Sequence, residues 1–176
     1  MFPAPLALTH YTINLFAHES AMGIDSTGPS IDDYPYSDIA PFIDALTTCI
    51  HTIHQFLDVL VTVDIDRFVC LPTLALARVV YPVVSLIKIY SLLAAPNSRL
   101  GQVIDIRTLR VEYYFEKTLD HYRAAAALDG ARAALRFASI LTMLRNWFVS
   151  KKSNSAEMGE ILGAATRSDK RNVSPL

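Results

Sequence analysis

The stretch from Pro72 to Ala95 constrains the fold more than any other part of the chain, because it has the pattern of one helix that is apolar almost all the way round. Its only full charges are Arg78 and Lys88, which lie roughly 80° apart around the axis at helical spacing. Pro96 ends the helix, since a proline moves the residue before it out of the α region. The sequence therefore predicts a buried central helix at 72–95, covered on several sides.

A membrane-spanning segment is the main alternative for this stretch, and such a segment needs about 20 consecutive apolar residues. Arg78 and Lys88 would both lie in the hydrocarbon region, at a cost of about 3 kcal/mol each. Pro82 would also remove a backbone hydrogen bond. The sequence thus favours the core helix of a bundle and predicts no membrane partner.

Composition and charge narrow the class of protein. The 176 residues are 52% hydrophobic, which is enough for one domain with a core and argues against disorder. The formal net charge of −1 gives no electrostatic footprint for phosphate, so we expect no direct DNA binding by this chain. Cys49 and Cys70 each fall in or beside an apolar helical pattern, which predicts buried free thiols and a reducing compartment.

The rest of the chain shows further helical patterns separated by turn-forming residues. Apolar spacing predicts a first helix from about Pro5 to Met22, and a loop rich in Gly, Pro, Asp and Ser follows at about 23–37. A second helix begins near Ser37 or Asp38 and carries a long apolar seam. The seam consists of Phe42, Leu46, Cys49, Ile53, Phe56 and Leu60.

After the central helix we predict a connection up to about Thr108, and then two more strong helices. The first carries a stripe from Val111 to Tyr122, and the second runs from about Ala131 to Ser150. No segment alternates with a period of two. The fold class is therefore all-α, a bundle of about five helices, with one helical domain at 1–152 and a disordered tail at 153–176.

His51, His54 and Asp58 are the main candidates for chemistry, because their spacing places two imidazoles and a carboxylate close together on one helix. Such a set would give a metal at most three ligands, and the pair of histidines is a weak signal without further ligands. His10, His18 and Glu19 on the first helix read as polar contacts, and Arg167–Arg171 reads as a solvated tail. With no catalytic motif, we predict no catalytic, cofactor-binding or metal-binding residues and no enzyme activity.

Four segments, in this order, resemble the regulatory region that follows the DNA-binding module in fungal zinc binuclear-cluster transcription factors. They are Arg78–Tyr90, Leu100–Asp105, Leu109–Tyr114 and Arg136–Phe148. The first helix, with Tyr11 and the pair His18 and Glu19, is similar to a helix that precedes this region in those factors. The resemblance spans most of residues 5 to 150.

The resemblance implies an all-helical, non-catalytic region that modulates a transcription regulator, often one of secondary metabolism or nutrient use. It implies a nuclear location; otherwise we expect a cytoplasmic one. The partners implied are other proteins, a second copy of the chain, or a small apolar effector held between helices. The alternatives are a standalone protein interaction module and, third, a small metal-dependent enzyme that uses His51, His54 and Asp58.

The chain departs from the family in two ways. It lacks the six-cysteine zinc cluster that reads DNA, and two cysteines cannot build one. Pro82 stands where we expect a small helix former. If the regulatory interpretation is right, five aromatic side chains form the core, and truncating any one should cost about 3 to 5 kcal/mol. They are Phe42, Phe56, Tyr81, Phe115 and Phe137.

Overall fold

The structure, a computed structural model, describes the backbone of residues 4–21, 36–95, 98–128 and 130–169 and the side chains of 6–18, 40–95, 98–128 and 130–153. Every regular element in these ranges is helical, which confirms the all-α prediction. The elements are α1 (Ala4–Ala21), α2 (Tyr36–Val61), α3 (Ile65–Val69), α4 (Thr73–Leu93), α5 (Arg99–Val103), a 3-10 helix (Ile106–Leu109), α6 (Val111–Ala126) and α7 (Arg132–Asp169).

The observed helix boundaries differ from the predicted ones mainly at two places. The connection predicted before Thr108 contains two short helices, α5 and the 3-10 helix, and α6 begins only at Val111. The last helix continues past Ser150 to Asp169. Residues 23–35 of the predicted loop and residues 170–176 of the predicted tail lie outside the described residues, and the division into a domain and a tail stays a prediction.

The chain separates into two compact units, and the boundary falls inside α7. The first unit ends at Leu141 and the second begins at Thr142. In the second unit the Nζ atom of Lys151 lies 5.1 Å from the centre of the half-exposed Trp147 ring. The helices discussed below belong to the first unit.

Helix α4 is the centre of the first unit, as the sequence predicts. It packs against α1, α2, α5, the 3-10 helix and α6. Arg78 and Lys88 are both exposed, so the helix turns its two charges outward while Pro82 is buried within it. By length and composition alone α4 could cross a membrane, but half of its apolar stretch is buried inside the fold, and a core helix passes the same test.

The predicted core is confirmed in part. Phe56 and Phe115 are fully buried, with 2% and 1% of their surface exposed. Phe42, Tyr81 and Phe137 are only half-buried, so their placement in the core was wrong. Tyr81 shows the reason, since its ring stacks at 4.4 Å on Phe16, a side chain that is itself half exposed at the α1–α4 contact.

The two cysteines differ. Neither forms a disulfide in the described part of the chain, and Cys49 is buried in the α2 seam, as predicted. Cys70 is exposed, which corrects the prediction of a second buried thiol. It is the C-cap residue of α3, a helix in which Phe68 is the buried residue.

Gly101 allows α5 to follow α4 closely. A Cβ atom at this position would collide with the carbonyl oxygen of Leu93 at the end of α4. The amide of Gly101 also donates a hydrogen bond of 3.1 Å to the Ser98 side chain, which caps α5. The tight turn therefore depends on a residue without a side chain.

Candidate functional site

The polar site with the most contacts joins α2 to the beginning of α6. Helix α2 buries its apolar seam, which leaves His54 at the edge of that seam and Asp58 exposed one turn later. The partners come from the junction between the 3-10 helix and α6, namely Leu109, Arg110 and Tyr114. This set therefore contains two of the three residues that the sequence proposed for chemistry.

His54 is held by the backbone of the 3-10 helix. Its Nε2 atom lies 3.1 Å from the carbonyl oxygen of Leu109. Because a carbonyl oxygen only accepts hydrogen bonds, Nε2 must carry the proton and donate it. In the neutral ring, Nδ1 then carries the lone pair.

Tyr114 completes the contact from the side of α6. Its ring stacks on His54, with ring centres 4.6 Å apart and planes 22° apart. Its hydroxyl lies 3.4 Å from the Oδ2 atom of Asp58, to which it donates a long hydrogen bond. The arrangement ties α6 to α2 through one backbone bond, one ring contact and one weak polar bond.

The electrostatics keep both rings neutral near pH 7. Burial lowers the pKa of His54 below 6.5, against the opposing effects of the Leu109 hydrogen bond and the Asp58 charge. Burial, followed by the neighbouring Asp58, raises the pKa of Tyr114 to about 12. The observed contact between the two rings is a stacking contact, which packs α6 against α2.

Arg110 is the residue at this site that sequence reasoning missed. It is the N-cap of α6 and has a φ of 47°, in the left-handed region that usually favours glycine or asparagine. Its guanidinium lies 4.3 Å from the centre of the Tyr113 ring. Since arginine carries no sequence signal for this conformation, the junction could not be found from the residue types.

The structure does not assemble the proposed metal ligands. His51 is exposed on α2, while His54 uses Nε2 for the Leu109 carbonyl and Asp58 contacts Tyr114. In the described parts of the chain, no three His, Cys, Asp or Glu side chains are grouped so that they could hold a metal ion. The metal-dependent hypothesis therefore gains no support from the positions of these residues.

The remaining sequence candidates are scattered. His10 lies 3.1 Å from the amide of Asn14 on the exposed side of α1, and His18 is half-buried. The side chains of Glu19 and of Arg167–Arg171 lie outside the described residues. These residues form no site in the described part of the chain.

A second histidine contact, also missed, lies further along α6. His121 is buried, and its Nε2 atom has no hydrogen-bond partner in the described structure. Its ring packs edge-on against Phe68 of α3 at 4.6 Å. The neighbouring Tyr122 is fully buried and donates a 2.6 Å hydrogen bond to the carbonyl oxygen of Leu76 in α4. The spacing of seven residues from Tyr114 was the available signal that His121 shares its side of the helix.

Comparison of the chain with protein-family models, with curated proteins and with solved structures finds no match.

Proposed function

We propose that the chain is a non-catalytic helical regulatory domain of the kind found in fungal zinc binuclear-cluster transcription factors. In this role it modulates the activity of a transcription regulator in the nucleus, and secondary metabolism is the type of pathway that the resemblance suggests. It acts through protein contacts or a small apolar effector, and DNA is read by another module.

The order of the helices supports this proposal. Of the four segments that carry the resemblance, Arg78–Tyr90 lies in α4 and Arg136–Phe148 lies in α7. Leu100–Asp105 covers α5 and the N-cap of the 3-10 helix, and Leu109–Tyr114 covers the junction into α6. Each segment is thus helical or joins two helices, as expected for an all-helical region.

A reporter assay tests the proposal. We would fuse the whole chain to an unrelated DNA-binding domain and measure transcription from a reporter in a fungal host. We expect the fused chain to change reporter transcription relative to the DNA-binding domain alone. Phe115→Asp, which places a charge in the core, should abolish that change. A fusion that is helical by circular dichroism but leaves transcription unchanged would contradict the proposal.

A second candidate function, a standalone interaction module, is supported by the outer face of α1. Leu6 and Ile13 have 52% and 62% of their surface exposed, while the polar Thr12 is buried. Phe16, which is 53% exposed, borders this face at its stacking contact with Tyr81. At about 100° per residue, the three apolar side chains lie within roughly 80° of one another around the helix. Exposed apolar surface of this kind is typical of an association site.

A second copy of this chain is the partner to which this candidate commits. The net charge is only −1, so two copies repel each other little, and a chain near neutrality tends to self-associate. Sedimentation equilibrium should show a dimer that Ile13→Glu weakens. Leu74→Glu, which changes an equally exposed leucine on α4, is the matched control and should leave the dimer intact. A wild-type chain that stays monomeric would contradict this candidate.

A further inference from the structure

Helix α3 is attached to the fold by a single buried side chain. Phe68 is the one buried residue of this five-residue helix, and none of its surface is exposed. Its ring meets His121 at 4.6 Å and Tyr122 at 5.0 Å, in both cases nearly perpendicular. The packing of α3 on α6 therefore depends on the contacts of Phe68 with the His121 and Tyr122 rings.

His121 is a poor place for a positive charge. The ring is buried against Phe68, Nε2 has no hydrogen-bond partner in the described structure, and the buried Thr118 hydroxyl one turn earlier also lacks one and offers no charge. Burial is what lowers the pKa of His121 below 6.5. The charged side chains of α3 and its N-cap are Asp64, Asp66 and Arg67, and all three are exposed. On the neighbouring stretch of α6, Lys117, Asp120 and Arg123 are exposed and Glu116 is half-buried. Helices α2 and α4 also pack on α6, and their described titratable and charged side chains include the half-buried His54 and the exposed Asp44, His51, Asp58, Arg78 and Lys88, with the half-buried Tyr81 and Tyr90.

We propose that His121 makes the attachment of α3 to α6 sensitive to acid. While the imidazole is neutral, Phe68 stays packed against it. When the ring takes up a proton, the buried cation has no counter-charge, and the fold relieves this by releasing α3 so that the ring reaches water.

The release is local, and its consequences follow from the position of α3 in the chain. The helix forms the connection between α2 and α4, so its release exposes Phe68 and loosens the path between two core helices. Helices α2 and α4 keep their own contacts with α1 and α6. The inference is independent of the function proposed above.

Hydrogen exchange of the whole chain tests the proposal. We would measure amide protection in peptides covering 62–72, at several pH values from 7.5 down to 5, after correction for the intrinsic exchange rate. Opening that takes up one proton should increase by at most about tenfold for each pH unit between 6.5 and the lowered pKa. Amides within α4 should stay more protected than those of α3 throughout, because their exchange requires unfolding of the core.

Three variants separate this mechanism from general acid destabilisation. His121→Gln, with no titrating ring, should remove the pH dependence in α3, and His121→Phe, which keeps an aromatic contact with Phe68, should do the same if the glutamine variant does not fold. His54→Gln is the matched control and should retain it. The proposal is overturned if wild-type α3 shows no acid-dependent loss of protection, if His121 variants keep it, or if α3 is never less protected than α4, so that both exchange through global unfolding.

Discussion

Helix α6 contacts two histidines in opposite ways. At its beginning, Tyr114 stacks on His54, whose Nε2 donates to a backbone carbonyl and which has Asp58 one turn away. Seven residues beyond Tyr114, its own His121 packs on Phe68, and its Nε2 is buried without a partner. The His54 contact includes a hydrogen bond from its Nε2 atom. The His121 contact is a ring contact that leaves its Nε2 atom without a partner.

The difference shows that the surroundings of a histidine decide what it does for the fold. An imidazole that is hydrogen-bonded at the edge of the core holds two helical elements together and leaves little polar surface buried without a partner. A buried imidazole without a partner contributes packing only while it stays neutral.

Phe68→Ala should be the most destabilising change, with a loss of about 3 to 5 kcal/mol in the free energy of unfolding, because it removes the one buried anchor of α3. Tyr113→Ala, at the exposed beginning of α6, should cost at most about 1 kcal/mol. Urea denaturation of both variants measures the difference. Equal losses would show that α3 does not depend on Phe68.

Removing the Tyr122 hydroxyl should cost more stability than removing the Tyr114 hydroxyl. Tyr122→Phe removes a buried 2.6 Å hydrogen bond to the Leu76 carbonyl, which should cost about 0.5 to 1.5 kcal/mol. Tyr114→Phe removes only a 3.4 Å bond to the exposed Asp58, and the expected cost is below about 0.5 kcal/mol. Chemical denaturation at pH 7 compares them. A larger loss for Tyr114→Phe would contradict the claim that the Tyr122 hydrogen bond contributes more to stability.

Stability should fall as the solution is acidified from pH 6.5. Burial lowers the folded-state pKa of both His54 and His121, so the unfolded chain takes up protons first and the favourable contribution is lost as pH decreases through this window. For His121 the slope should be at most about 1.4 kcal/mol per pH unit. Denaturation curves between pH 8 and 5 measure it, and His121→Gln should flatten them. Unchanged slopes in that variant would exclude His121 as the source.

Substitutions that test the backbone conformation at Arg110 should have the smallest effect on stability. Arg110→Gly removes the ring contact with Tyr113 but relieves the left-handed conformation, whereas Arg110→Ala removes the contact and keeps the strain. The glycine variant should therefore be more stable than the alanine variant by about 1 kcal/mol. Thermal unfolding of the pair measures this. An alanine variant of equal or greater stability would indicate that Arg110 is not strained.

Periodicity predicted the elements but not the junctions between them. The α2 seam from Leu46 to Leu60 and the α6 stripe from Val111 to Tyr122 are buried as expected, because apolar spacing directly encodes which side of a helix faces the core. The α5 turn depends on a backbone approach at Gly101, and the start of α6 depends on a left-handed arginine. Tertiary contacts determine both, and the residue types there carry no periodic signal.

The candidate residues show the same division. Sequence spacing correctly placed His54 and Asp58 on one side of α2, but their partners lie about 55 residues away in the chain, at Leu109 and Tyr114. His121 was not predicted as a site residue, because a single histidine within an apolar stripe matches no motif. Only the packing of α3 reveals its contact.

Titration of the two imidazoles in the wild-type chain by NMR tests the central contrast most directly. Burial lowers the pKa of both rings, and His54 alone has a backbone bond and a nearby carboxylate that oppose the shift. Our account predicts that both rings titrate below pH 6.5 and that His121 titrates at the lower pH. A pKa for His121 equal to or above that of His54 would contradict it.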